Sequence, residues 1–200
     1  MSGYTGGKCM AVRNLIELPL FCLPPLEWFR QLEENSILRI INYNKFPEDV
    51  RFRRIDFAGQ QGKQLFTIPL VQESKKGDFK SVRISYQTNW HNQLINALQT
   101  AYGKSPFYEY YDYRIEPVFK NAPSNLYDLN MELLHFMLKA FKIDIEIEEI
   151  DGQTFFEPEF KIGNLPYYQV FQDRNGFIGG LSAIDFLFNE GWESFPISEK

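Results

Sequence analysis

The sequence predicts an α/β domain, with a mixed β-sheet flanked by helices. Three observations carry that expectation. Residues 11–41 read as strand, proline-rich loop, short helix and strand, the order that opens an α/β unit. Alternating apolar positions around Gly59-Gln60-Gln61-Gly62 read as a hairpin. Apolar residues at spacings of three and four, from Trp90 to Ala101 and from Leu126 to Ala140, read as helices with one face to bury.

A first strand is expected at 11–16, running into the turn-rich segment Glu17-Leu18-Pro19-Leu20-Phe21-Cys22-Leu23. Pro24-Pro25 then opens a short helix through Glu34, with Leu26, Phe29 and Leu32 on one side. Proline is tolerated there because the first helical amides have no partner inside the helix. Residues 37–41 read as a second, buried strand, which makes the loop at 17–25 a natural rim for a ligand. From Val50 the chain reads as a strand to Phe57. Its alternation slips near Arg54, because Val50 and Phe52 fall on one face and Ile55 and Phe57 on the other, so a bulge or bend is expected there. Phe66, Ile68 and Leu70 mark the return strand, with Pro69 placing it at an edge or at its end. Val82, Ile84 and Tyr86 mark another strand.

Thr88 or Asn89 caps the central helix, and Gly103 suits a left-handed residue at its end. Ser105-Pro106 reads as a second helix start. Behind it come Phe107, Tyr108, Tyr110, Tyr111 and Tyr113, either a core corner or the wall of a cleft. Asn125 caps the long helix carrying Leu126, Leu129, Leu133, Met137 and Ala140. Ile143, Ile145 and Ile147 alternate with Asp144, Glu146 and Glu148, a strand with an acidic solvated face. Residues 151–164 read as loop anchored by Phe155, Phe156 and Phe160, 167–171 as a last strand, and Ser182 as the cap of a final helix ending before Gly191. With no repeat, low-complexity tract or linker, residues 1–200 read as one domain, with 1–9 frayed.

Composition bounds the function. The chain has 200 residues, a formal charge of −5 and 16% aromatic residues, 19 of them Phe and 11 Tyr. Such rings suit a core of few large side chains, or cleft walls for flat or sugar-like ligands. There is no basic tail or long cationic run, which argues against nucleic acid as a partner. Cys9 and Cys22 have neither metal-ligand spacing nor partners for a disulfide framework, and read as reduced thiols of a cytoplasmic protein. No run approaches a membrane span. With two histidines and no HxxxH or CxxC spacing, no metal site is expected, and no cofactor motif is present: Gly176-Phe177-Ile178-Gly179-Gly180 lacks the spacing and context of a dinucleotide fingerprint.

Each group able to do chemistry has a plainer alternative. His91, in the first turn of the central helix, is a neutral base or an exposed capping residue. His135, mid-helix, belongs to a solvated face. Cys22 would need a base such as His91 to act as a nucleophile, and is otherwise an inert buried thiol. Asp185 is a general base or, three residues after Ser182, the acidic half of a capping box. Arg51 and Arg53 share a face of the expected strand, with Lys45 upstream. Their forked donors suit a phosphate or carboxylate, and a solvated, charge-protected edge is the competing reading. Tyr108 and Tyr111 are the pair assigned to a cleft wall.

Four stretches together point to a family. They are Ile16-Glu17 leading to Leu23-Pro24-Pro25-Leu26-Glu27-Trp28-Phe29; Arg51-Phe52-Arg53; Ile84-Ser85-Tyr86 with Trp90 to Tyr102 and Ser105-Pro106-Phe107-Tyr108-Glu109-Tyr110-Tyr111; and Tyr168-Gln169-Val170-Phe171 with Gly176-Phe177 and the run from Leu181 to Gly191. In these the chain resembles the WbqC-like family of bacterial proteins. Genes of that family often lie in O-antigen and other surface-polysaccharide clusters, so the resemblance implies a cytoplasmic role in making or decorating an activated sugar. Two departures bear on that role. Many members carry histidine four residues after the tryptophan, where this chain has Leu94, and many carry Arg-Asn-Arg where this chain has Phe52 in the middle.

The resulting expectation is a cleft between the 17–29 segment, the 51–53 strand and the 104–111 segment. Glu27, His91 and Asp185 are the candidate catalytic groups, and Arg51, Arg53, Lys45, Tyr108 and Tyr111 the candidate binding groups for an anionic, sugar-linked ligand. A transferase and a non-catalytic binding or scaffold protein with a partner in the same pathway both remain open. Convergence of Arg51, Glu27 and the Ser105–Tyr111 turn would favour the enzyme.

Overall fold

A parallel three-stranded sheet and a separate antiparallel hairpin, both covered by helices, organise the chain. The structure, a computed structural model, describes residues 14–121, 123–153, 155 and 165–195. The expected frayed stretch at 1–9, Cys9, the start of the first predicted strand, Phe156 and Phe160 lie outside them. Chain order is β1 (Leu15–Leu18), α1 (Leu26–Arg30), β2 (Ile37–Tyr43), β3 (Arg54–Gly59), β4 (Gly62–Thr67), α2 (Trp90–Tyr102), α3 (Tyr108–Lys120), α4 (Leu126–Phe141), β5 (Glu146–Gln153), α5 (Gln172–Asn175) and α6 (Ala183–Glu190). The α/β class and the mixture of parallel and antiparallel pairing are as the sequence predicts. The two kinds of pairing are divided between two sheets. Among the described residues no helix is long and apolar enough to cross a membrane.

β2 is the middle strand, parallel to β1 on one side and β5 on the other. Its near-continuous apolar run buries both faces, as a central parallel strand requires. The exception is Arg39, aligned in register with Glu17 of β1 and Glu148 of β5. It donates to Glu17 Oε1 at 3.0 Å and to Glu148 Oε2 at 2.9 Å, so one guanidinium ties three strands in a cross-strand row. The acidic face expected on β5 is therefore partly neutralised.

The hairpin turns tightly at Gln60-Gln61, with Gly59 paired to Gly62 and Gly62 at φ 105°, a conformation that suits glycine. The slip in alternation near Arg54 has a physical cause. Val50–Phe52 is one turn of 3-10 helix, capped by Asp49, whose carboxylate accepts from the Arg51 amide at 2.8 Å. The strand begins only at Arg54, so Arg51 and Arg53 do not share a strand face as expected. Among the described residues the outer edge of β3 meets no strand. Its amides at Asp56 and Ala58 donate instead to the Ser182 hydroxyl (3.1 Å) and the Tyr102 phenol (3.0 Å), which satisfies buried backbone donors with side chains.

Three further expectations are corrected. Residues 82–86 form isolated bridges, Leu70 with Ile84 and Arg83 with Asn125, rather than a strand. Residues 167–171 are not a strand: the Gln169 carboxamide plays that part, donating to the Ile178 carbonyl and accepting from its amide, each at 2.9 Å. Gly103 is right-handed, at φ −58°. The chain there tightens into a turn in which the Ser105 amide donates to the Tyr102 carbonyl and the Ser105 hydroxyl contacts Asn189, so α3 starts at Tyr108 and not at Pro106. Asn125 caps α4 as expected, accepting from the Asp128 amide at 2.8 Å, and all five stripe residues of α4 are buried.

Rings fill the core in two groups. Phe52 is wholly buried among Phe21, Tyr43, Phe46, Phe79 and Phe155, with ring centroids 5.0–5.8 Å away. Around α6, Phe188 meets Tyr102 and Tyr108 while Phe186 meets Phe141 and Tyr167. Both groups pack edge-on or tilted, the arrangement the ring quadrupole favours.

Candidate functional site

The site is built on the proline-rich loop between β1 and α1. Prolines at 19, 24 and 25 limit its backbone, and three contacts fix its course. The Trp28 indole donates to the Pro19 carbonyl (3.0 Å), the Cys22 amide to the Arg51 carbonyl (2.9 Å), and the Ala183 amide to the Pro24 carbonyl (2.9 Å). Asn130, buried in the middle of α4, donates from one Nδ2 to both the Leu20 carbonyl (3.1 Å) and the Phe52 carbonyl (2.8 Å). That amide clamps the loop to the 3-10 turn carrying Arg51. Asn130→Ala is expected to cost about 1–3 kcal/mol in urea unfolding, since it leaves two buried carbonyls without that donor. Leu23 is held at φ 45°, an uncommon conformation for a branched residue and strain of a kind that collects at functional sites.

Beside the loop lies a cleft of about 240 Å³, with Phe21, Cys22, Leu23, Pro24 and Pro25 on one wall and Gly179, Gly180 and Ser182 on another. Arg51, Arg54, Asp56 and Lys63 supply its charge. Register explains the last three. Arg54, Asp56 and Ala58 share one face of β3, and Ala58 pairs with Lys63, so all project to the same side of the hairpin. Asp56 Oδ1 lies 2.7 Å from Arg54 Nε, and its Oδ2 lies 2.8 Å from Lys63 Nζ. Lys63 also donates to the Gly180 carbonyl at 3.2 Å, made reachable by a left-handed Gly180 at φ 66°. Arg51 pairs with Asp49 and stacks over the Phe21 ring, its guanidinium carbon 4.5 Å from the centroid. Burial alone would push the Asp49 carboxyl up, but hydrogen bonds from Arg51 and the charges of Arg51 and Arg54 outweigh it and hold Asp49 below its ordinary value. Among the described residues the lining carries three cations, Arg51, Arg54 and Lys63, and one carboxylate, Asp56, with Asp49 paired to Arg51 beside it.

Of the three segments expected to enclose the cleft, two meet. The third, 104–111, packs on α6 instead: the Phe107 amide donates to the Phe188 carbonyl, and Ser105 contacts Asn189. Its place is taken by Gly179–Ser182. Tyr108 and Tyr111 are 7% and 2% exposed and belong to the core, because the helix turns them inward, Tyr108 against Phe188. Arg53 turns away from the cleft, toward the Ile68 carbonyl and Lys75. Lys45 is exposed on the segment after β2 and does not line it. Glu27 is buried on α1.

His91 sits on the first turn of α2 against Tyr86 and Trp90, with its Nδ1 buried and without a hydrogen-bond partner among the described residues. Cys22 lies on the cleft wall, and burial pushes its thiol far above the usual range, so it is the inert thiol rather than a nucleophile. Asp185 is not the acidic half of a capping box. Ser182 stands at the cap position of α6, but its hydroxyl accepts from Asp56, and Asp185 accepts from the Tyr102 and Tyr167 phenols. Among the described residues no cluster of His, Cys, Asp or Glu could hold a metal ion.

A sequence model of the WbqC-like protein family matches residues 21–154, well over half of the chain. The chain belongs to the WbqC-like protein family. No curated protein matches it, and no solved structure does. The WbqC-like span supplies the proline loop, Arg51, Arg54, Asp56 and Lys63, whereas Gly179, Gly180 and Ser182 lie beyond it. Arg54 and Lys63 were hidden in the sequence because the 3-10 turn shifts the strand start by a few positions. The signal that could have found them is the slipped alternation itself: a strand restarting at Arg54 puts Arg54 and Asp56 on the face opposite Ile55 and Phe57.

Proposed function

We propose that this WbqC-like chain binds a small anionic, sugar-linked ligand in the cleft of Arg51, Arg54 and Lys63, within the assembly of a bacterial surface polysaccharide in the cytoplasm. The observation that carries the reading is the cluster of Arg51, Arg54 and Lys63 among the described lining residues, facing a strained, proline-stiffened loop. Two of its three cations are guanidinium groups suited to two-pronged contact with a phosphate or carboxylate. A volume of about 240 Å³ suits the charged group and its immediate attachment rather than a whole nucleotide-sugar. The pathway and compartment rest on the family.

Binding fits this geometry better than group transfer. The one carboxylate in the described lining, Asp56, is already engaged by Arg54 and Lys63. Glu27, His91 and Asp185 sit off the lining. A scaffold role has its own support on α3. Tyr110 and Tyr113 are 51% and 57% exposed there, and Arg114 stacks on both rings, a surface of the composition that protein partners use.

Titration calorimetry with inorganic phosphate and with a nucleotide-sugar tests the binding. Arg51→Ala and Arg54→Ala are each expected to weaken it by about 1.5–3 kcal/mol, the size of a charged hydrogen bond. Arg53→Ala, pointing elsewhere, should leave it nearly unchanged. Equal affinity in all three variants would overturn the assignment, as would a fall in melting temperature in the first two large enough to account for the lost binding.

A further inference from the structure

The opposite face of the hairpin holds a second, larger concavity. A groove of about 650 Å³ runs between the tip of β3–β4 and the exposed side of α2, within the ~300–1,000 Å³ range of small-molecule sites. Its polar lining is Gln60, Gln61 and Gln64 from the hairpin and Gln93, Asn96 and Thr100 from α2. Helical spacing explains the second set: positions 93, 96 and 100 follow one another at three and four along one exposed face. Strand alternation explains Gln64, which points away from the face carrying Lys63. The floor is formed by the small residues Gly59, Ala97 and Ala101, with the Gln64 side chain lying over Gly59.

The lining is chemically narrow. Among the described residues it contains no charged residue and no aromatic ring, although the chain is 24% charged and 16% aromatic. Four of the chain's eleven glutamines lie in it. None of the five carboxamides makes a side-chain hydrogen bond among the described residues; Thr100 alone is engaged, donating to the Asn96 carbonyl at 2.7 Å. A single surface glutamine is simply solvated. Five in one concave lining, drawn from two elements, present alternating donors and acceptors at close range, because each carboxamide offers both. Anions would want cations here, and planar bases or apolar ligands would want rings or aliphatic walls. Hydroxyl groups, which donate and accept at the same atom, match carboxamides.

We propose that this groove binds a neutral, hydroxyl-rich ligand, a short uncharged glycan, with Gln64, Gln93 and Asn96 as its principal contacts. The site is separate from the anion cleft: the two lie on opposite faces of one hairpin and share no residue.

The test is a titration followed by NMR of side-chain amide groups, using maltotriose, cellotriose and tri-N-acetylchitotriose at millimolar concentration. At least one of them is expected to shift the NH₂ signals of Gln64, Gln93 and Asn96. Gln93→Ala and Asn96→Ala should each weaken that binding about threefold to tenfold, as loss of one or two neutral hydrogen bonds would, without moving the melting temperature. Arg54→Ala should leave it intact and, if the anion cleft is read correctly, abolish phosphate-induced shifts elsewhere. Failure of all three glycans to move these signals, or movement of the same signals by inorganic phosphate, would overturn the proposal and leave the anion cleft unaffected.

Discussion

Phe52→Ala is expected to lower the stability by about 3–5 kcal/mol, the range for truncating a fully buried phenylalanine. Phe52 has no exposed surface, and five other rings pack around it. Rings cannot flow into the space left behind as a methionine would, so the cavity persists and its cost adds to the lost burial. The loss also reaches the site. Phe21, one of the contacting rings, is the ring on which Arg51 stacks, and the Phe52 carbonyl is held by Asn130. Phosphate affinity of the folded fraction should therefore fall as well.

The more informative variant is Phe52→Asn, which restores the residue many WbqC-like proteins carry here. In this chain it places a carboxamide among aromatic rings with no partner, and should cost at least as much as alanine. Phe52→Leu should lose distinctly less. Urea unfolding of the three variants decides. An asparagine variant as stable as the parent would show that the ring cluster tolerates a polar hub and that the departure at Phe52 is neutral.

What the sequence allowed to be read divides along a physical line. The α4 stripe, its Asn125 cap and the crossover from β1 through α1 to β2 depend on local periodicity and punctuation, and periodicity is visible in one dimension. The proline loop was legible as the break between strand and helix, and its residues line the cleft. The places where reading failed are those where a side chain replaces a backbone partner. Gln169 holds Ile178 as a strand would, Ser182 caps the edge of β3 instead of its own helix, and the Ser105 hydroxyl goes to Asn189. None of these has a periodic signature, because the partners lie nine to 126 residues away. The tyrosines failed differently. Four phenols in six positions of a helix cannot all face one way, and which of them turn inward is decided by α6, from the far end of the chain.

Asp185→Ala is expected to cost about 3–5 kcal/mol, because two buried phenols lose their acceptor at about 1–3 kcal/mol each. Asp185 is wholly buried and serves three donors: the Tyr102 phenol, the Tyr167 phenol at 2.7 Å and the Gln169 carboxamide at 3.3 Å. Tyr102 in turn accepts from the Ala58 amide, so the carboxylate anchors the free edge of β3 to α2 and α6. Alanine would leave two buried phenols without that acceptor and loosen that edge. Asp185→Asn keeps one acceptor and the shape, and should cost much less.

The two variants also carry a pH signature. Burial raises the Asp185 carboxyl above its ordinary value, and the hydrogen bonds from Tyr102 and Tyr167 offset only part of that. A carboxyl with a raised folded pKa holds its proton in the native state after the unfolded chain has released it. Its contribution to stability therefore falls as pH rises from the ordinary carboxylate range to the raised folded value, and is flat above it. Measured against Asp185→Asn, which cannot titrate, the parent should lose relative melting temperature as pH rises from about 4 through that window. A parent that gained on the asparagine variant over the same interval would mean that the phenol hydrogen bonds outweigh burial. Asp185 would then be an ionised anchor whose native carboxyl sits below, not above, its unfolded value.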